Sequence, residues 1–282
     1  MGFGRVSWPT VPETAEDVLP DSLTEAIRIE LRRTFRAPFE VPTVVAVNGA
    51  LMSSAWFFLP GSLKDKLFTL HGSLVFGLVL AGWMYSDVPA TNVLGPDSSR
   101  AVAAVTDPLM FRRLLYAKNV TLWILVAPLC SVITIGIGLF KHDLVAALCV
   151  IAAIAIVPLG ALGISAWVGI RFPYHPMPLR FRWDHHRPWW RMIIRWLSLA
   201  LTPYGLVPVL TAALMVPSLI LWGEFTTHGF SDKIPDADYA WGVAVACAIA
   251  AVCWIGGHRL GYRIARRRRV ELLEFLGDPA RG

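Results

Sequence analysis

The sequence predicts an all-α, polytopic integral membrane protein with six transmembrane helices, an N-terminal amphipathic interfacial helix, and both termini cytoplasmic. Three observations lead there. Of 282 residues, 55% are hydrophobic and only 16% charged, a balance that makes lipid the solvent for much of the chain. Six charge-free runs of 20 to 28 residues each reach the about 20 residues that a helix needs to cross the hydrocarbon core. With both termini inside, 22 of the 26 Lys and Arg residues fall on inner segments and 4 on outer loops, as the positive-inside bias requires. The chain divides into a cytoplasmic tail (1–20), an amphipathic interfacial helix (21–40), a transmembrane domain (41–262) and a basic cytoplasmic tail (263–282). The spans are placed at about 41–63, 67–86, 118–140, 144–170, 194–222 and 239–258.

Residues 1–20 hold Pro9, Pro12, Asp17 and Pro20 where a cleavable signal would need an apolar core, so the first span is expected to act as the insertion signal. Ser22 and Glu25 form a capping-box pattern. After it, Leu23, Ala26, Ile27, Leu31 and Phe35 share one helical face, with Glu25, Arg28, Arg32, Arg33 and Arg36 largely opposite. Such a helix should lie in the interface plane with its arginines toward anionic head groups. The first two spans are joined by the short segment LPGSLKDK and form a hairpin. His71 lies inside the second span without a second histidine at i+4, and reads as a packing residue.

The organising stretch runs from residue 94 to 139. Asp97 or Ser98 can cap a first short helix, and Asp107-Pro108 repeats the device, giving two rods with an elbow between them. Arg112, Arg113 and Lys118 fall on the last turns before the apolar run, where cations can reach phosphate head groups or an acidic partner. Lys141-His142-Asp143 makes a tight outer turn into the fourth span, whose many Ala, Gly and Ser residues allow close helix approach on several sides.

The next inner loop, 171–191, holds four prolines, six aromatic residues and three histidines. Asp184-His185-His186 lacks metal-ligand spacing, and the loop reads as an aromatic and basic interfacial belt. Pro203, Pro208 and Pro217 predict a fifth helix broken three times and lining a cavity, so Thr202, Pro203, Tyr204 and Pro208 are candidate substrate-path residues. The outer loop 223–238 is acidic. The sixth span ends in Arg266 to Arg269 and an amphipathic VELLEFL segment.

No P-loop, G-x-S-x-G or H-E-x-x-H pattern is present, and the six apolar runs hold no charged residue by construction. Catalytic and metal sites are therefore not expected, and proton-coupled transport and intramembrane proteolysis are disfavoured. The net charge of +6 reflects membrane orientation and calls for no nucleic acid. The four cysteines sit in spans without a C-x-x-C pair, as small core hydrophobes.

The interfacial helix at 23–36, the LGPDSSRAVAAVTDPLMFRRLLYAKNV loop with its proline, basic pair and Ala117-Lys118, and the ALGISAWVGIRFPYHP run together resemble the membrane subunit of type-2 ABC exporters. The resemblance covers most of residues 23–269. It implies a permease half that pairs with a second permease subunit and docks a separate ABC ATPase, which carries the ATP and Mg²⁺, to export a lipophilic or amphiphilic substrate from the inner (plasma) membrane. Asp97, Arg100, Asp107, Arg112 and Arg113 are then the expected docking residues. The arginine-rich, Leu-Gly-Trp entry pattern of polysaccharide and teichoic acid exporters is absent around 32–56, so that substrate class is not carried over. The alternatives are an accessory or scaffold subunit without a translocation path, and an intramembrane enzyme using Asp184, His185 and His186 on lipid head groups.

Overall fold

A computed structural model describes residues 20–36, 39–61, 75–86, 88–171, 173, 175, 203–215 and 236–277. All regular structure among them is helical. The helices are α1 (Leu23–Thr34), α2 (Glu40–Phe58), α3 (Val75–Met84), α4 (Val88–Thr91), α5 (Ser98–Thr106), α6 (Pro108–Lys141), α7 (Leu144–Arg171), α8 (Pro203–Met215), α9 (Asp236–Arg267) and α10 (Arg269–Gly277), with a 3₁₀ turn at Gly95–Asp97 before α5. The expected N-terminal tail, His71, most of the 171–191 loop, Thr202, Pro217 and the outer loop as far as residue 235 lie outside the described residues.

Four helices are long and apolar enough to cross a membrane: Glu40–Phe58, Pro108–Lys141, Leu144–Arg171 and Ala240–Arg267. They make this a membrane-embedded protein. The second and fifth expected spans are represented among the described residues by α3 and α8, which are shorter than a crossing. At 1.5 Å per residue, α6 and α9 are about 50 Å long against a hydrocarbon core of about 30 Å. Both are longer than a crossing requires, and the elbow and α10 adjoin their basic ends.

Local chemistry sets the helix ends. The Ser22 hydroxyl accepts the Glu25 N–H at 3.2 Å and starts α1. Phe39, with φ of 55°, stands at the N-cap of α2 in a left-handed conformation uncommon for a bulky residue. Asp107 accepts the Leu109 N–H at 2.8 Å, with Pro108 at the first helical position of α6. His142, also at φ 55°, closes α6, and Asp143 accepts the Ala146 N–H at 3.2 Å to open α7.

One proline departs from the broken-helix expectation: Pro208 sits inside α8, and the helix continues past it to Met215. A proline removes one backbone hydrogen bond without ending the helix when its neighbours hold their geometry. Pro128 and Pro158 are likewise carried inside α6 and α7.

The main core is built on α7, where small residues admit α9 at backbone contact. A Cβ on Gly160 would lie 2.8 Å from the Ala250 Cα, one on Gly163 would lie 2.6 Å from the Trp254 Cα, and one on Gly257 would fall on the Gly163 carbonyl. In lipid, such close packing supplies the association energy that water supplies elsewhere. Trp123 of α6 donates to the Ala155 carbonyl at 2.8 Å from the other side.

A second, smaller core lies at the basic end. Ala101 and Ala104 of α5, Phe111, Leu114 and Leu115 of α6, and Leu272 and Leu276 of α10 are buried together. The segment expected as a basic tail thus contributes a packed helix, α10, against the elbow. Arg268 fixes its start, donating to the Arg171 carbonyl at the end of α7 and to Glu271, each at 2.7 Å.

Candidate functional site: a charged joint beneath the elbow

Ala26, Glu30 and Arg33 occur at i, i+4 and i+7 on α1, so they share one helical face. Ala26 and Glu30 are buried, and α1 packs on α6. Arg33, expected among the arginines turned toward head groups, stands instead on the inward face with Glu30. Both find partners there.

Arg33 Nη2 lies 2.7 Å from Asp97 Oδ1 in the 3₁₀ turn. Lys118 Nζ of α6 stands between the two acids, 2.6 Å from Asp97 Oδ2 and 3.1 Å from Glu30 Oε1. Arg100 Nη1 of α5 lies 3.0 Å from Glu30 Oε2. Five charged side chains from α1, the 3₁₀ turn, α5 and α6 therefore form one connected set. Arg100 is 2% exposed and Lys118 10% by side chain.

The electrostatics follow from burial. Desolvation alone would raise the Asp97 carboxyl, but Lys118, Arg33 and Arg100 outweigh it and bring Asp97 from 3.8 down to about 2. Asp97 is held as an anion throughout the neutral range. Three cations face two carboxylates, so the set carries one excess positive charge. Arg33 Nη1 and Arg100 Nε are buried without a hydrogen-bond partner among the described residues. A buried set of this kind holds its helices only while every member is present, because removing one partner strands another charge at low dielectric.

Asn119 follows Lys118 on α6, and its Nδ2 lies 3.0 Å from His258 Nε2 of α9. His258 Nδ1 lies 2.7 Å from the Trp254 carbonyl, which requires the proton on Nδ1 and leaves Nε2 to accept from the amide. Tyr116 stacks on the imidazole at 4.4 Å between centroids. This second polar contact ties α6 to α9 beside the charged joint.

The expected docking residues separate into two groups. Asp97 and Arg100 are turned inward as members of the joint. Asp107 caps α6, and Arg113 Nη1 donates to the Pro20 carbonyl at 3.4 Å. Arg112 is exposed, on an outer edge that includes Ser99, Ala103, Thr106 and Leu109, the last 59% exposed. Glu30, Arg33, Lys118 and the Asn119–His258 pair were not read from sequence as parts of one site. The available signal was Glu30 itself, an acid in register with Ala26.

The expected path residues sit elsewhere. Pro203 is buried, Pro208 half-buried, and the ring of Tyr204 lies 5.9 Å from that of Trp83. Gly82 of α3 faces Thr211 of α8, and Val207 and Leu214 join the main apolar core. Among the described residues, no group of three His, Cys, Asp or Glu side chains could hold a metal ion; Asp184, His185 and His186 lie outside them. No family model, curated protein or solved structure matches the chain.

Proposed function

We propose that this chain is the transmembrane permease subunit of an ABC exporter, coupling ATP hydrolysis on a separate nucleotide-binding subunit to export of a lipophilic or amphiphilic substrate. The observation that carries the reading is the charged joint: it fastens the elbow helix α5 and the surface helix α1 to the root of α6. A push on the outer edge of the elbow is then delivered to α6 instead of being lost as bending at Asp107. α10, packed on α5 through Leu272 and Leu276, braces the elbow beside the joint.

In this reading the basic end is cytoplasmic, following the Lys and Arg bias, in the inner (plasma) membrane. Asp97 and Arg100 support the arm from within, and the partner meets Leu109, Arg112 and their exposed neighbours. The ATPase partner holds ATP and Mg²⁺. A second permease subunit completes the path, to which Tyr204 and Pro208 contribute from α8.

The test uses the exposed edge, which can be altered without touching the joint. Tagged wild-type chain, purified from its own membranes, should bring down a P-loop ATPase with measurable ATP hydrolysis. The L109E/R112E variant should lose that activity about tenfold or more, since an apolar contact is removed and a charge reversed at the interface. Equal ATPase recovery from both would contradict the proposed docking edge. Intact assembly with other membrane subunits and no ATPase in either preparation would favour the scaffold alternative.

A further inference from the structure

The exposed face of α9 changes character within one turn. Trp241, Val252 and Ile255 are 73%, 70% and 41% exposed, and Arg259, Arg263, Arg266 and Arg267 are exposed beyond them. At 100° per residue these seven positions fall within an arc of about 120°, on one side of the helix. Trp241 and Arg259 are 18 residues apart, or about 27 Å along the axis, close to the hydrocarbon thickness of about 30 Å.

The helix itself supplies no counter-charge, since no acidic residue lies between Asp238 and Glu271. Among the described residues, Arg268 is the arginine of this end that is ion-paired, to Glu271. Four guanidinium groups without an ion-pair partner among those residues therefore stand directly above lipid-facing aliphatic side chains. That vertical order, apolar below and cationic above, matches a phospholipid with its acyl chains along Val252 and Ile255 and its phosphate at the arginines.

We propose that this face of α9 is a binding surface for anionic phospholipid, with Arg259, Arg263, Arg266 and Arg267 holding the head group. Guanidinium suits the role because its planar fork can donate two parallel bonds to a phosphate. The surface is separate from the elbow edge and does not depend on an ATPase partner. Because α9 continues into α10, which packs on α5, lipid held here also braces the elbow.

The test is lipid selectivity around the full chain in nanodiscs of phosphatidylcholine, read by electron spin resonance. Spin-labelled phosphatidylglycerol should be immobilised several-fold more than spin-labelled phosphatidylcholine, and the preference should shrink as salt is raised. The R259Q/R263Q and R266Q/R267Q variants should each reduce it, and the fourfold variant should bring the ratio to about one. Arg-to-Lys replacement at the same positions should keep part of the selectivity and serves if the fourfold glutamine variant does not fold. No preference in the wild type would overturn the proposal. So would a preference that survives in the folded glutamine variants, or one abolished by an equal concentration of soluble glycerol phosphate, which would mark a site for free anions.

Discussion

Where α7 meets α9, three glycines and Ala250 let two helix backbones touch; where α1 and the elbow meet α6, five charged side chains fill the space between helices. The first contact is made of dispersion forces and does not change with pH or salt. The second is a closed set of ion pairs whose value depends on its completeness. The seam is suited to permanence. The joint is suited to fixing an orientation, since each carboxylate accepts from cations on different helices and no member can shift alone.

The sharpest way to break the comparison is at the seam. Gly257→Leu places a side chain on the Gly163 carbonyl, backbone that no rotamer change can move aside. The expected outcome is loss of stable, monodisperse protein on size exclusion in detergent, beyond the about 1–3 kcal/mol typical of overpacking. A fully stable Gly257→Leu protein would mean that α7 and α9 are not in backbone contact.

Next is Lys118→Met, which leaves Glu30 and Asp97 without their shared cation. It should cost about 3–5 kcal/mol in thermal or denaturant unfolding. Adding Glu30→Gln and Asp97→Asn should deepen that loss more than additively, because Arg33 and Arg100 are then buried without an anion. Additive losses would show that the three side chains act independently.

Acid should separate the two regions without mutation. The Asp97 carboxyl titrates at about 2 in the folded chain against its ordinary 3.8. Its stabilising contribution is therefore complete above about pH 4 and is lost as pH falls through about 2. Fluorescence from a probe on α5 should report loosening in that window, while one on α7 should not. Synchronous change at both would remove the distinction.

The smallest expected effect is Ser22→Ala. Losing the hydroxyl that accepts the Glu25 N–H should cost about 1 kcal/mol, visible as faster amide exchange in α1 and nowhere in α7 or α9.

What the sequence revealed and what it concealed divide along the same physical line. Ser22 and Glu25, Asp107-Pro108, and Lys141-His142-Asp143 were legible because a cap or turn is specified within a few residues. The small-residue character of α7 was legible because close packing needs side chains of that size wherever the partner lies. The joint was not, since Glu30 and Lys118 are 88 residues apart in sequence and their pairing is decided by how α1 packs on α6. The stripe of Leu23, Ala26, Ile27 and Leu31 located an apolar face without revealing that Glu30 lies inward beside it. Asn119 and His258 were hidden for the same reason. Pro208 misled in the opposite direction: local chemistry argues for a break, and packing against α3 keeps the helix whole.

Spin-label distance measurement across the joint tests the central claim most directly. Labels are placed at Ser99, exposed on the elbow, and Leu129, exposed on α6, in a chain whose four native cysteines are replaced by alanine. One narrow distance distribution is expected, and it should broaden when Lys118→Met is added. Equally narrow distributions with and without Lys118 would contradict the claim, because the elbow would then be held to α6 by something other than the charged joint.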